Sequence, residues 1–504
     1  MGMLPCEQAV SSCFTMKIQE VKPQAQTELI GNFHVCEVHL AKQVRRTQSE
    51  LSALPFGRDL RVKAGFVSLG CAKNLVDTEV MLGILREHGI ELTANPGEAD
   101  ILIVNTCAFI QSAKEESITT VLNMADYKES GRCRSLIVAG CLGQRYAKLL
   151  LDEMPEADAI LGTGAWHRIM EAVEETLKGR RLIIHGEEEI IYDAKTPRIV
   201  TTPGYTAYIK IAEGCDNFCA FCAIPLIRGR YRSRTVEDIC TEARRLVDGG
   251  VKEINLIAQD TTNYGHDLYG APSLAKLLRE LVKIEKLQWV RILYCYPKFF
   301  TDELIDVIAS EPKICKYVDL PLQHADDALL KAMRRPDTCE EVEALLQKIR
   351  ERIPGVSIRT TFIVGFPGET DEQFQTLVRF VERQRFDKVG VFTYSKEEDT
   401  PAYDMPEQVS EEVMQERYHE LMSIQSKISE EKNQELEGRE LEVLIEGRDQ
   451  EQENIAGGRS YREAPEVDGQ VYVEGDRDSQ PGDMIRVKVL QGFTYDVVGE
   501  KIGG

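Results

Sequence analysis

Two sets of cysteines in this 504-residue chain have spacings that could do chemistry. In EGCDNFCAFCAIP, Cys215, Cys219 and Cys222 form a C-x3-C-x2-C triplet on one short stretch. Three thiolates so close can bind three corners of a four-iron four-sulfur cluster, leaving the fourth iron open to a substrate or cofactor. A structural zinc site calls for a fourth Cys or His at matching spacing, and an electron-transfer ferredoxin usually supplies a fourth thiolate. Neither stands near the triplet, which favours the open cluster over a zinc site or a plain electron carrier. The second set is dispersed: Cys71 follows VSLG, Cys107 follows IVNT and Cys141 follows IVAG. A single cytosolic cysteine is most often a small buried apolar residue. Three at equivalent places, each past an apolar run and beside small residues that let a bulky group approach the backbone, are harder to read that way. Cys133, Cys240, Cys295, Cys315 and Cys339 have no such placement, nor do Cys6, Cys13 and Cys36. They read as ordinary thiols.

Elements must bring these residues together. Residues 1–62 show no sustained period, and read as a disordered extension or a start codon placed too far upstream. From Lys63 short apolar runs alternate with helical stretches, the pattern of an α/β domain on a parallel sheet, here spanning 63–186. AGFVSLG (64–70), ADILIVNT (99–106), RSLIVAG (134–140) and ADAILGTG (157–164) are its strands; NLVDTEVMLGILREHG (74–89) is a helix with Val76, Val80 and Ile84 on one apolar face. The carboxyl ends of parallel strands line one crevice, so Cys71, Cys107 and Cys141 would meet there. Residues 200–437 offer six more strands: TAYIKIA (206–212), KEINLIA (252–258), WVRILYCY (289–296), YVDLPL (317–322), IRTTFIVG (358–365) and KVGVFTY (388–394). Helices alternate with them, among them TVEDICTEARRLVDGG (235–250), capped by Gly249 and Gly250, and DEQFQTLVRFVERQ (371–384). This predicts a partial (β/α)6 barrel, curved but not closed, with its site at the carboxyl ends of the strands. Val409 to Glu437 is a charged helical connector, and residues 438–504 contain ELEVLIEG, GQVYVEG and DMIRVKVLQG, strands of a small antiparallel β-barrel. The fold class is therefore multidomain α/β.

A chain this long buries ample core without metals or disulfides, so a metal here serves chemistry. No apolar run approaches the ~20 residues of a membrane span, and residues 1–60 lack a secretory or transit pattern, which points to a soluble cytoplasmic protein. Fourteen cysteines in a reducing compartment are not a disulfide framework. A net charge of -22 disfavours a large nucleic-acid footprint and suits a basic partner.

With its triplet, and with Phe221 just before the third cysteine, the sequence resembles the radical S-adenosylmethionine (SAM) enzymes. The resemblance implies that SAM chelates the open iron through its amino and carboxylate groups. An electron from the reduced cluster then breaks the sulfonium C–S bond, and the 5′-deoxyadenosyl radical so released abstracts hydrogen from an unactivated carbon. With the dispersed cysteines added, residues 63–504 closely resemble the methylthiotransferase family, which joins a three-cysteine domain, a radical SAM barrel and a C-terminal TRAM barrel. That resemblance implies two four-iron four-sulfur (4Fe-4S) clusters. The one on Cys215, Cys219 and Cys222 makes the radical, and the one on Cys71, Cys107 and Cys141 holds the incoming sulfur. It also implies a methyl group from a second SAM, a sulfur donor, and an electron donor such as flavodoxin or ferredoxin. By superfamily analogy SAM contacts the strand ends at Gln259, Asp260, Gln323 and Gly365. His324 reads as a hydrogen-bonded structural histidine, VGFPGET (364–370) is too weak for a phosphate loop, and no catalytic residue beyond the cluster ligands is assigned.

Members of that family modify an adenosine in transfer RNA or an aspartate in small-subunit ribosomal protein twelve. SLGCAKNLVDTE (68–79), VNTCAFI (104–110), AQDTTNYG (258–265), VDLPLQH (318–324) and REAPEVDG (462–469) resemble the ribosomal-protein branch. Charge offers an independent check. From Arg439 to Lys501 the terminal barrel carries fifteen acidic residues against eight basic, a net of 8 minus 15, or -7. A barrel that grips RNA phosphates should be basic, whereas an acidic one steers a basic protein such as a ribosomal protein. The run Arg228, Arg230, Arg232, Arg234 reads as a solvated or internally paired strip rather than a nucleic-acid patch. The expectation is β-methylthiolation of an aspartate in ribosomal protein twelve; the alternatives are methylthiolation of a transfer RNA adenosine and a non-enzymatic iron–sulfur or zinc module.

Overall fold

Strands buried on both faces read as continuous apolar runs, and the centre of the first domain is built from them. In the computed structural model, residues 62–186, 190–448 and 454–502 are described; the extension expected over 1–62 lies outside them, except for Val62. The chain divides into two units. One runs through Thr201 and includes Ile224–Arg230, and the other comprises Thr202–Ala223 and everything from Tyr231.

The first unit contains strands β1 (Lys63–Ser68), β2 (Glu91–Leu92), β3 (Ile101–Thr106), β4 (Ser135–Gly140), β5 (Ala159–Leu161) and β6 (Leu182–Ile184), all parallel in the order β2-β1-β3-β4-β5-β6. Every residue of β3 and β4 is buried. Their register sets Ser68 opposite Asn105 and Thr106 opposite Gly140, so β1, β3 and β4 end nearly level. Helix Ala72–Glu87 buries Val76 and Val80 as expected, with Leu85 completing the face that Ile84 only half fills. The same helix buries Asn74, Asp77 and Glu79. Glu79 accepts bonds from Arg198 Nη2 at 2.6 Å and Thr201 N at 2.6 Å, which pins the segment leaving the domain.

In the second unit β7 (Thr206–Lys210) leads into a short antiparallel pair, β8 (Ala212–Glu213) with β9 (Arg232–Ser233). β10 (Glu253–Ile257), β11 (Trp289–Ile292), β12 (Tyr317–Asp319), β13 (Ser357–Val364) and β14 (Lys388–Thr393) continue the parallel series. Its ladder is interrupted between β11 and β12, where a Val290–Ile314 bridge and Cys295 N donating to Asp319 O carry the junction. β11 and β12 are shorter than their apolar runs: Tyr294 takes a left-handed φ of 62° just after β11, and Pro321 follows β12. Helix Val236–Asp248 ends at Gly249 and Gly250, the latter at φ 110°, as expected.

The charged stretch past Val409 is more than a connector. Helix Glu411–Gln434 buries Met414, Leu421 and Ile428 and also bonds the barrel through polar side chains. Gln425 donates to Phe386 O, Ser429 to Asp387 O and Arg417 to Glu369 Oε2. It leads into a closed barrel of β15 (Glu440–Arg448), β16 (Ile455–Ser460), β17 (Val471–Glu474), β18 (Met484–Gly492) and β19 (Val497–Lys501), in the order β15-β16-β17-β19-β18. Val443, Ile445, Val471, Val473 and Val487 fill its core, each fully buried and worth roughly 1.5–3 kcal/mol. Among the described residues no helix is long and apolar enough to cross a membrane.

A buried ion network joins this barrel to the parallel sheet. Glu253, on β10, accepts from Arg459 Nη2 at 2.7 Å and Arg291 Nε at 3.1 Å, while Arg291 Nη1 donates to Tyr461 O at 2.7 Å. Burial alone pushes the Glu253 carboxyl up, but Arg459 and Arg291 outweigh it and hold it down at about 2. Glu253→Gln leaves two guanidinium groups short of a buried counter-charge, and should cost about 3–5 kcal/mol at neutral pH in denaturant unfolding of this unit. A depressed pKa stabilises fully above the ordinary 4.5 and is lost as pH falls through about 2, so the gap between variant and parent should close across that window.

Candidate functional site: two sets of thiols

Cys71, Cys107 and Cys141 stand at the carboxyl edge of the first sheet, at the ends of the adjacent strands β1, β3 and β4. Cys71 is the N-cap residue of helix Ala72–Glu87, and Cys141 opens helix Cys141–Glu153. Both thiols therefore meet the positive end of a helix, which favours a thiolate. Gly70 and Gly140 turn the chain at φ 85° and 90°. A Cβ on Gly70 would lie 2.8 Å from Cys107 Cβ, and one on Gly140 would lie 2.2 Å from Asn105 Oδ1. The loops approach so closely that only glycine fits. Asn74 Nδ2 ties them by donating to Leu69 O at 2.8 Å and Thr106 O at 3.0 Å.

The three thiols feel one another. Burial pushes Cys107 up to about 12, with the charges of Cys141 and Cys71 adding to it. Cys141 is likewise raised by burial and, further, by Cys71, while Arg228 works against the shift. Packing around the Cys71 sulfur raises its thiol, but Lys73, Arg228 and the backbone N–H groups of Asn74 and Lys73 more than offset this and leave it below the ordinary range. Cys107 and Cys141, which resist losing their protons unaided, suit a cationic cluster, since coordination deprotonates a thiol outright. Asn74, Asp77 and Arg228 escaped the sequence argument as parts of this site. The visible signal was polar Asn74 and Asp77, three apart on a helix that also carries the Val76 and Val80 face.

The triplet lies on the loop past β8, entered through Gly214 at φ 78° and bent at Phe218, φ 47°. Cys222 N donates to Cys219 O at 3.0 Å, and Ala220 N donates to Met333 O at 2.9 Å. Asn217 Nδ2 donates to Asp260 Oδ2 at 2.8 Å, while Asp260 Oδ1 accepts from Thr262 and Asn263 N. Burial drives the Cys215 thiol to about 12, with Asp260 and Cys219 adding and the backbone at Asn217 opposing. Burial also raises Cys219, against the charge and hydrogen bonding of Arg335. Arg335 itself stacks 4.1 Å from the Tyr296 ring.

The four residues expected to meet SAM divide into two kinds. Gln259 donates to Glu213 Oε1 at 2.9 Å and keeps a buried Oε1 with no partner; Gln323, at φ 73°, likewise has an unpartnered buried Oε1. Asn263 Oδ1 and the Tyr394 hydroxyl are orphaned as well. Buried polar atoms left bare in this way suit a polar ligand. Asp260 and Gly365 are committed within the protein: the Asp260 carboxylate holds the cysteine loop, and Gly365 N–H donates to Glu369 with Met414 packed over its α-carbon. His324 is buried and hydrogen-bonded, its Nδ1 accepting from Asp326 N and its Nε2 facing Glu369 Oε1 at 3.1 Å. Cys133, Cys240, Cys295 and Cys315 are buried and Cys339 partly so; Cys6, Cys13 and Cys36 lie outside the described residues. Among the described residues no three His, Cys, Asp or Glu side chains converge on a single-ion site. A cavity of about 520 Å³ beside Lys252 and Gln288 opens at the amino-terminal edge of the second sheet, away from the triplet.

Residues 209–381 match the Radical SAM superfamily, residues 63–162 match Uncharacterized protein family UPF0004, and residues 438–502 match the TRAM domain. Fold and matches together define a radical SAM enzyme with an added α/β domain and a TRAM barrel. The chain is 53% identical over 437 residues to the ribosomal protein uS12 methylthiotransferase RimO of Desulforamulus reducens, covering 86% of this chain and 98% of that protein. The RimO proteins of Heliobacterium modesticaldum (53% over 443 residues, 88% and 96% covered) and Geobacter sulfurreducens (51% over 441 residues, 87% and 98% covered) are similarly related. The chain belongs to the RimO family of SAM-dependent methylthiotransferases.

Because Asp260 fixes the cysteine loop through Asn217, Asp260→Ala should lose most of the iron retained by a chain whose Cys71, Cys107 and Cys141 are replaced by Ala. Asp260→Asn, which keeps an acceptor, should retain most of it. Iron and sulfide quantification after anaerobic reconstitution reads both.

Proposed function

We propose that this enzyme transfers a methylthio group to the β-carbon of one aspartate in small-subunit ribosomal protein twelve. Cys215, Cys219 and Cys222 hold the 4Fe-4S cluster that binds SAM, and Cys71, Cys107 and Cys141 hold a second 4Fe-4S cluster that carries the sulfur. The reading is carried by the strand-end trio, three thiols distant in sequence and gathered on one sheet edge beside glycine turns that leave room for a bulky group. When bound, the clusters and SAM supply the carbon radical, the sulfur and the methyl group. An external electron donor, a flavodoxin or ferredoxin, and a sulfur donor complete the requirements.

The residues of the chain bind, orient and shield. Gln259 and Gln323 offer buried acceptors to SAM. Asn217, Asp260 and Arg335 fix the triplet loop, and Phe221 packs against a cluster of Phe366, Met414 and Leu329 that keeps water from it. The substrate side follows from charge. The terminal barrel is acidic, and the arginine run is at least partly spent inside the protein: Arg228 pairs with Asp77 at 3.0 Å, and Arg234 with Glu242 and Asp238, each at 2.6 Å. A basic protein substrate fits that surface better than a polyanion. The names of the relatives agree with it.

Reduced, cluster-loaded enzyme with SAM should add a methylthio group to ribosomal protein twelve and leave transfer RNA unmodified, as followed by mass spectrometry. Replacing Cys71, Cys107 and Cys141 by Ala should abolish transfer while 5′-deoxyadenosine formation persists; replacing Cys215, Cys219 and Cys222 should abolish both. Modification of transfer RNA alone would overturn the substrate assignment.

A further inference from the structure

The segment Ile224–Arg230 belongs to the first unit, although it follows Cys222 by only two residues. Its anchor is Arg228, whose side chain is 2% exposed. Arg228 Nη1 meets Asp77 Oδ2 at 3.0 Å, while Nη2 donates to Asn74 Oδ1 at 3.0 Å and lies 4.0 Å from Cys141 Sγ. Thr163 Oγ1 donates to Ile227 O at 2.6 Å and fixes the turn that carries it. Burying a guanidinium is costly unless it is paired, and the contacts to Asp77 and Asn74 hold this one in place. The Cys141 thiol at 4.0 Å lies within direct reach of that charge.

We infer that Arg228 is a positioning residue that sets the charge balance of the cluster on Cys71, Cys107 and Cys141 and favours its reduced form. The inference rests on the assignment of a cluster to those three cysteines. Three thiolates leave such a cluster with a net negative charge that grows when one electron enters from the external donor, and net charge and hydrogen bonds to sulfur are what set its potential. A fixed cation beside one ligand sulfur stabilises the more negative state and needs no proton transfer to do so. The Asp77 carboxylate sits on Nη1 at 3.0 Å, while the other terminal nitrogen, Nη2, is the one that approaches the sulfur. Arg228 and Asp77 thus form an oriented pair with its positive end toward the sulfur, and the two residues should move the potential in opposite directions.

That opposition separates an electrostatic role from a structural one. The experiment uses the full-length chain with Cys215, Cys219 and Cys222 replaced by Ala, reconstituted anaerobically so that a single cluster contributes, and follows a redox titration by electron paramagnetic resonance. At the parent's midpoint, Arg228→Gln should lower the reduced-to-oxidised ratio about tenfold, equivalent to ~59 mV for one electron, with iron content retained. Arg228→Lys should restore most of the loss, and Asp77→Asn should raise the ratio. An unchanged midpoint in an iron-replete Arg228→Gln chain overturns the inference. So does a shift of the same sign in Arg228→Gln and Asp77→Asn, or loss of iron in both that Arg228→Lys does not repair. If the parent chain holds no iron, the cluster assignment itself falls, and the inference with it.

Discussion

Parallel pairing with level strand ends is the constraint on which the rest of the first domain depends. Because β1, β3 and β4 run in one direction and stop nearly together, whatever follows each strand arrives at the same edge. Two of the three following segments are helices that begin at the cysteine itself, so the geometry that gathers the thiols also presents them with the positive ends of two backbone dipoles. The cost is a patch of buried polar groups. Asn74, Thr78 and Asn105 meet it by bonding one another and the strand ends, with Asn105 Nδ2 reaching Asn74 O at 2.8 Å and Thr78 Oγ1 at 2.9 Å. A network of this kind holds the three loops in register.

The triplet solves the same problem differently. Its three cysteines are brought together by a short loop, and tertiary structure is needed only to fix the loop's shape and surroundings. Asp260 does this from the end of β10, Met333 through its carbonyl, and Arg335 by charge. The local site was therefore plain in the linear spacing, while the dispersed one required an architecture before its cysteines could be grouped at all.

Legibility followed the same line. Strands buried on both faces announce themselves as apolar runs, so β3, β4 and β10 fall where the sequence puts them, as does β13 with its alternation of buried and half-buried residues. Runs could not tell where pairing stops, and WVRILYCY and YVDLPL continue past β11 and β12 because Tyr294 and Pro321 leave the strand conformation without any loss of hydrophobicity. β16 and β19 passed unseen since their glycines mimic turns. In the barrel those glycines are where strands crowd: a Cβ on Gly458 would lie 2.4 Å from Leu444 O, and one on Gly499 would lie 2.5 Å from Lys488 O. Among site residues, cysteine identity was readable from type and spacing. The roles of Asp260, Arg228 and Arg335 were not, because each is defined by a partner tens of residues away or more.

The return of Ile224–Arg230 to the first unit has a consequence for how the protein is made. A ribosome that has synthesised only the first two hundred residues has made every strand of the parallel sheet, yet the core around Asp77 and Thr163 still lacks Arg228 and Ile227. Completion must wait for the nascent chain to extend past the triplet, whose own supports at Asp260 and Met333 come later still. Truncation at Thr201 would give a fragment without the Arg228–Asp77 pair, so the two units are interleaved in the order of their synthesis.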